Sequence, residues 1–222
     1  MICGCGATAA QLSFQMTDGG SIPTHPLQFI VKPVNHKTAK SWVEKWHYSK
    51  RMPTGKNISY GLFANGNLYA VIVYGIGVNP YQAKFLGVDN VIEIKRMCRS
   101  EPIIKGYPLS KFISVTSKMV AKDYLFDCIV AFADPEQGHE GTVYKASNFI
   151  LHGKTNPEWH LIDVFGNVRH RRFAYRHARR NNITVDESRK ELGLVRLKTL
   201  EKYRWVRFVK PRAAIAKATG GE

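Results

Sequence analysis

Acidic residues are scarce in this chain: 17 Asp and Glu stand against 33 Lys and Arg in 222 residues, a formal charge of +16. With so little negative charge to offset its cations, the chain calls for a polyanionic partner, most often nucleic acid. Cysteine is scarce as well, limited to Cys3, Cys5, Cys98 and Cys128. Cys98 and Cys128 fall inside apolar, strand-like runs and read as buried free thiols. Cys3 and Cys5 form a lone Cys-x-Cys, too few ligands for a zinc site. This usage points to a reducing cytoplasm. No apolar run is long enough for a membrane span. The first residues lack a basic region followed by an apolar stretch, so no secretory signal is expected. Walker loops, dinucleotide fingerprints and paired histidines at metal spacing are missing, which leaves a mononuclear site drawn from distant His and Asp residues as the metal alternative. No internal repeat occurs.

What is present begins with enough apolar material for a core, 44% hydrophobic and 11% aromatic. Charge is unevenly placed. Between Arg169 and Arg212 there are fifteen Lys/Arg and four Asp/Glu, a net of +11. A localised patch is better evidence for phosphate contact than a diffuse surplus.

Hydrophobic periodicity gives a mixed α/β plan. Residues 1–24 read as a flexible lead-in and 27–34 as a strand. Asn35 is placed to cap a helix with Ala39, Trp42, Val43 and Trp46 on one face, ending near His47. Strands over 58–64 and 67–76 flank Asn65-Gly66, a strong hairpin signal. A polar loop with Pro80 and Gly87 follows, then a strand over 91–98 with Arg96 expected on the face opposite Ile94. Residues 101–108 form a loop. The spacing of Leu109, Phe112, Ile113, Thr116, Met119 and Val120 predicts a helix over 109–122, with Ser110 as a capping hydroxyl. Residues 127–133 read as a buried central strand that stops at Asp134-Pro135. A second helix is expected after Gly141, with Val143, Ala146, Ser147 and Ile150 inward. Short strands over 149–154 and 159–165, a basic stretch over 169–180, a helix over 185–192 and a closing hairpin or long strand over 194–209 complete the plan. The tail from 211 reads as flexible. The whole predicts one catalytic domain over 25–210, with helices on both faces of a mostly antiparallel sheet.

Four local features carry candidate chemistry. Trp46-His47-Tyr48-Ser49 sits at a helix exit, where His47 could act as a base or simply end the helix. The strand–loop–helix unit 91–120 offers Arg96, Gly106, Ser110 and free helix N–H groups to a donor's negative charge, or is an ordinary helix start. The run Asp134-Pro135-Glu136-Gln137-Gly138-His139-Glu140-Gly141, followed by Tyr144, closes an apolar strand where α/β sheets place their sites. Asp134 could equally be a cap. Finally, Arg169, Arg171, Arg172, Arg176, Arg179 and Arg180, interleaved with Phe173 and Tyr175, suit phosphate contact and stacking on an exposed base.

These motifs resemble known families. The segment F-A-D-P-E-Q-G-H-E-G-T-V-Y-K-A-S-N-F is similar to the second half of GNAT acyltransferases. Strand 91–99 with helix 109–122 matches the place where those enzymes hold coenzyme A pyrophosphate. More closely, W-H-Y-S-K-R-M-P-T-G-K-N-I-S-Y-G, then E-I-K-R, then P-L-S-K-F-I-S, then the Asp134 run, resemble the Mom family of phage DNA modification proteins over about residues 40–210. The resemblance implies a GNAT-like fold and a double-stranded DNA substrate. It also implies conversion of adenine to N6-carbamoylmethyl (acetamido) adenine, which protects phage DNA from host restriction in the host cytoplasm. It places catalysis on His47, Tyr48, Arg96, Ser114 and Asp134, with donor contacts at Arg96, Gly106, Ser110 and Ser114. Tyr144 matches the tyrosine with which GNAT enzymes protonate a leaving thiolate. One segment departs from the parent pattern: residues 99–110, R-S-E-P-I-I-K-G-Y-P-L-S, hold one glycine where the pyrophosphate loop has several. The product's N–CH2 link also differs from the amide that acetyl transfer makes. An acetyl-coenzyme A-like donor and transition-metal assistance therefore both stay open. So do two other functions: an acetyltransferase acting on a protein or small amine, and a DNA-binding protein with a degenerate enzyme fold.

Overall fold

A computed structural model describes residues 28–77, 81–100, 107–170 and 172–209. The lead-in over 1–24, the pair Cys3 and Cys5, Gly106, Arg171 and the tail from 211 lie outside these residues. The described residues fall into two compact units, one formed by those up to 82 together with those of 92–125, the other by 83–91 together with those from 126 onward.

In the first unit, β1 (Ile30–Pro33), β2 (Asn57–Ala64), β3 (Asn67–Gly75) and β4 (Val91–Arg99) pair in sequence order, each antiparallel to the next. Asn65 (φ 48°) and Gly66 (φ 79°) turn β2 into β3 as a two-residue hairpin with both positions left-handed. Helix α1 (His36–Trp46) starts where the Asn35 side chain accepts the Thr38 N–H at 2.8 Å. Its Ala39 and Val43 pack with Met52, Val71, Val73 and Cys98 on one sheet face, with Trp42 and Trp46 at the margin. The helix α3 (Leu109–Tyr124) covers the other face. There the Tyr74 hydroxyl lies 2.7 Å from Thr116 Oγ1, which donates to the Phe112 carbonyl. Helices thus stand on both faces of this sheet, as expected.

One local expectation is met by another route and one changes. Arg96 does lie opposite Ile94, although strict alternation would send residues two apart to the same face. Val73 pairs with Arg96 and Tyr74 with Ile94, leaving Lys95 as an extra residue. That bulge sends Arg96 to the α1 face and Ile94 to the α3 face. At the start of α3 the cap is Pro108, with no side-chain bond, and Ser110 already lies within the helix, so Ser110 is not the cap.

In the second unit, β10 (Tyr203–Phe208) lies between β5 (Cys128–Ala133) and β6 (Ile150–Lys154), antiparallel to both. Cys128, Val130 and Val206 pack with Leu86 and Val88. The two last belong to α2 (Gln82–Leu86) and its exit, a short helix where a polar loop was expected. Burial pushes the Cys98 and Cys128 thiols up to about 12, so both are inert, buried cysteines. Helix α4 (Thr142–Lys145) is a single turn. Left-handed Asn148 (φ 62°) then redirects the chain into β6, so Ser147 is buried as expected, joined by Tyr144 and Phe149, while Ala146 and Ile150, expected inward, are exposed. A second sheet holds β7 (Trp159–Ile162) between β8 (Val168–Arg169) and β9 (Val195–Lys198). Leu161, Ala174 and Leu194 form its core with α5 (Arg172–Asn181) and α6 (Val185–Glu191). Residues 194–209 are therefore no hairpin: β9 and β10 belong to different sheets.

Candidate active site and nucleic-acid interface

In the first unit the α1 exit gathers the first motif. His47 is 6% exposed and Tyr48 53% exposed, their rings 4.2 Å apart. His47 Nδ1 accepts the Ser49 backbone N–H at 3.1 Å and lies 2.8 Å from Ser49 Oγ. A backbone N–H can only donate, so the neutral ring carries its proton on Nε2. Arg96 reaches the same segment from β4: its Nε–H donates to the Arg51 carbonyl at 3.1 Å and Nη1 to the Lys95 carbonyl at 2.6 Å. The backbone on both sides thus fixes the guanidinium. Ser114 is half-buried on α3, two residues before the buried pair Thr116 and Ser117 that meets Tyr74.

In the second unit the acidic turn closes β5. Asp134 Oδ1 accepts the Glu136 N–H at 3.1 Å and caps a 3-10 turn over Pro135–Gln137. Its Oδ2 pairs with Lys202 Nζ at 3.2 Å, and the side chain is only 13% exposed. The same turn is stapled a second time, since Glu136 Oε1 accepts the Leu200 N–H at 2.8 Å. Beside it opens a cavity of about 410 Å3 lined by Pro135, Lys154, Pro157, Lys198, Thr199, Leu200, Glu201 and Tyr203. Lys198, Tyr203 and the Lys154–Glu201 ion pair (3.6 Å) on its wall suit a planar polar guest. Behind the turn, Gly141 (φ +88°) lies so close to the Trp205 indole that a Cβ would fall 2.0 Å from Nε1. Tyr144 is buried on α4, its ring 5.6 Å from Phe149. His139 is exposed.

The basic stretch is a helix rather than a loop. Arg172, Tyr175, Arg176, Arg179 and Arg180 are exposed, at i, i+3, i+4, i+7 and i+8, opposite the buried Ala174 and Ala178. Two of the expected DNA-contacting residues are engaged inside the protein. Arg169 forms a two-pronged pair with Asp163 at 2.8 Å and stacks over the Phe173 ring. Phe173 packs against the Leu161 cluster, because its phase on α5 is that of the buried alanines, so it offers no open stacking face. Tyr175, 59% exposed, does.

The resemblance set His47, Tyr48, Arg96, Ser114 and Asp134 in one catalytic region; within the first unit Arg96 reaches the segment that follows His47 and Tyr48, while Asp134 and Tyr144 belong to the second unit. The sequence reading missed Lys202, Lys154 and Tyr203. These reach the acidic turn only because β10 pairs with β5 and β6, a long-range register with no local signal. Among the described residues no three His, Cys, Asp or Glu side chains cluster as metal ligands. Nor is any helix of the described residues long and apolar enough to cross a membrane.

Together these features define a strongly basic mixed α/β protein with a capped acidic turn beside a lysine-lined cavity and an arginine-faced helix. The chain belongs to the Mom protein family, whose model matches residues 28–219. It is 27% identical over 138 residues to the methylcarbamoylase Mom of Escherichia phage Mu, a match covering 60% of this chain and 57% of that protein's length. Solved structures that align with it include a dodecameric spermidine N-acetyltransferase from Vibrio cholerae, at 9% identity and TM-score 0.49, covering 82% of this chain and 94% of that one. Another is an IAA acetyltransferase from Bacillus cereus, at 10% identity and TM-score 0.45, covering 82% and 99%.

Proposed function

We propose that this chain is a phage DNA modification enzyme that converts adenine in double-stranded DNA to N6-carbamoylmethyl adenine, shielding it from restriction in the host cytoplasm. The observation that carries this reading is the exposed arginine face of α5, in the same compact unit as the Asp134 turn. Membership of the Mom family and the methylcarbamoylase relative supply the chemistry.

Adenine N6 is weakly nucleophilic and sits inside the duplex, so the base must be turned out before it reacts. The α5 arginines hold phosphates, and Tyr175 or Tyr48 offers an exposed ring to a base. The N6 lone pair attacks the methylene of an electrophilic carbamoylmethyl donor. The N6–C bond forms as the donor's leaving group departs with the bonding electron pair, and the N6 proton passes to a base. Asp134 is that base in this reading, because the Nδ1 of His47 is occupied by a backbone N–H and its Nε2 bears a proton. His47 then serves as a donor. Arg96, with Ser110 and Ser114 of α3 and with Gly106 from the sequence motif, holds the donor's negative charge, and Tyr144 protonates the leaving group.

The test is nucleoside digestion and mass analysis of DNA from cells expressing the chain. A new adenosine species heavier by a carbamoylmethyl group in place of one hydrogen is expected, and Asp134→Asn should abolish it. Full modification by that variant would remove Asp134 from the mechanism. Unaltered DNA, with turnover of an acetyl donor on an amine, would replace the reading with amine acetylation.

A further inference from the structure

The arginine helix is preceded by a hairpin whose tip has no evident structural task. Between β7 and β8 the chain turns at Asp163-Val164-Phe165-Gly166-Asn167. Phe165 is 85% exposed and Val164 72%. Single exposed apolar side chains are ordinary on protein surfaces. This one differs in how firmly its support is built. Asp163 Oδ1 accepts the Phe165 N–H at 3.0 Å and the Asn167 N–H at 2.8 Å, and Asn167 Nδ2 reaches the same carboxylate. The Gly166 N–H donates to the Asp163 carbonyl, and Gly166 (φ +80°) adopts the left-handed turn conformation. The other carboxylate oxygen takes the Arg169 guanidinium, which stacks over Phe173 of α5. One half-buried carboxylate thus ties together the tip, the second strand of the hairpin and the first turn of the arginine helix.

We infer that Phe165 is a wedge that enters the base stack of duplex DNA and fills the space an extruded base leaves. Inserted Phe and other apolar side chains part base steps in this way. A preformed tip loses little freedom on insertion, so its contact energy goes to the unstacked state. The neighbouring exposed Arg172, Arg176 and Arg179 supply the cationic surface that brings a phosphate backbone to the tip. The inference rests on the DNA modification reading and adds to it the element that opens the duplex.

The test uses the full chain and duplexes carrying 2-aminopurine in place of adenine in several flanking contexts. Their fluorescence rises when the base leaves the stack. Wild-type protein should raise it. Phe165→Ala should lower that response at least about tenfold while duplex affinity by anisotropy stays within about threefold, since wedges act on unstacking and arginines on binding. Phe165→Trp should retain the response. Placing 2-aminopurine opposite an abasic site, where no pairing has to be broken, should restore the response of Phe165→Ala. Modified adenine in cells should fall in parallel. A Phe165→Ala protein that melts like wild type and unstacks and modifies paired adenine equally well refutes the wedge alone. A wild type that produces no modified adenine and no fluorescence change overturns the underlying reading, and the wedge with it.

Discussion

Neutralising the arginine face of α5 tests the DNA reading in numbers. Changing Arg172, Arg176 and Arg179 to Gln removes three exposed cations from one helix face and leaves the buried Ala174 and Ala178 untouched. On duplex DNA each phosphate contact contributes about 0.9 to the slope of log affinity against log salt, so three lost contacts should lower the slope by about 2.7. Across a fourfold change in salt, each contact accounts for about a 3.5-fold change in affinity, and the three together for about fortyfold. The wild type should therefore lose affinity about forty times more steeply than the triple variant over that range. Fluorescence anisotropy of a labelled duplex at a series of salt concentrations reads this directly. Arg169→Gln is the internal comparison, because Asp163 already holds that guanidinium and the slope should barely move. A triple variant that melts normally yet keeps the wild-type slope within about 0.5 refutes α5 as the phosphate-contacting face.

Other outcomes follow from the same structure. Gly141→Ala should lower stability by about 2–4 kcal/mol in thermal melts, because the residue is left-handed and the new Cβ would press on Trp205. Tyr74→Phe should cost about 1 kcal/mol by losing the buried bond to Thr116. Burial pushes the Asp163 carboxyl up, but hydrogen bonds from Asn167, Arg169 and the Phe165 N–H outweigh that and hold it below its ordinary value. Its stabilising share is present above the unfolded-state value and lost as pH falls through the lower folded one, so Asp163→Asn should flatten the acid limb of the melting profile. Iodoacetamide near pH 8 should label neither Cys98 nor Cys128 until denaturant is added, as peptide mass mapping would show.

Where local chemistry decides structure, the sequence was readable. The Asn35 cap, the Asn65-Gly66 turn and the apolar run into Asp134 are each set by a few neighbouring residues, and each stands where expected. What escaped depends on pairing across the chain or on helix phase. Arg96 lies opposite Ile94 as expected, but the Lys95 bulge that puts it there exists only against β3 and has no local signal. Phe173 and Tyr175 look equivalent as letters, yet a helix over Arg172–Asn181 turns one inward and the other out. The single-turn α4 was overrun because Val143, Ala146 and Ile150 keep a helical period past the left-handed Asn148 that ends it. The site divides in the same way. His47, Tyr48 and Asp134 announce themselves in contiguous motifs, whereas Lys202 meets Asp134 across sixty-eight positions of sequence.

The place of β10 also sets a timetable. Strand β5 ends at Ala133, but both it and β6 take their hydrogen-bonding partner from Tyr203–Phe208. During synthesis, the edge of β5 therefore waits unpaired while about seventy further residues leave the ribosome. Loops of that length close slowly and expose apolar edges meanwhile. A nascent chain halted before Tyr203 should be captured by chaperones or degraded, and release of six more residues should mark the moment it becomes protease-resistant.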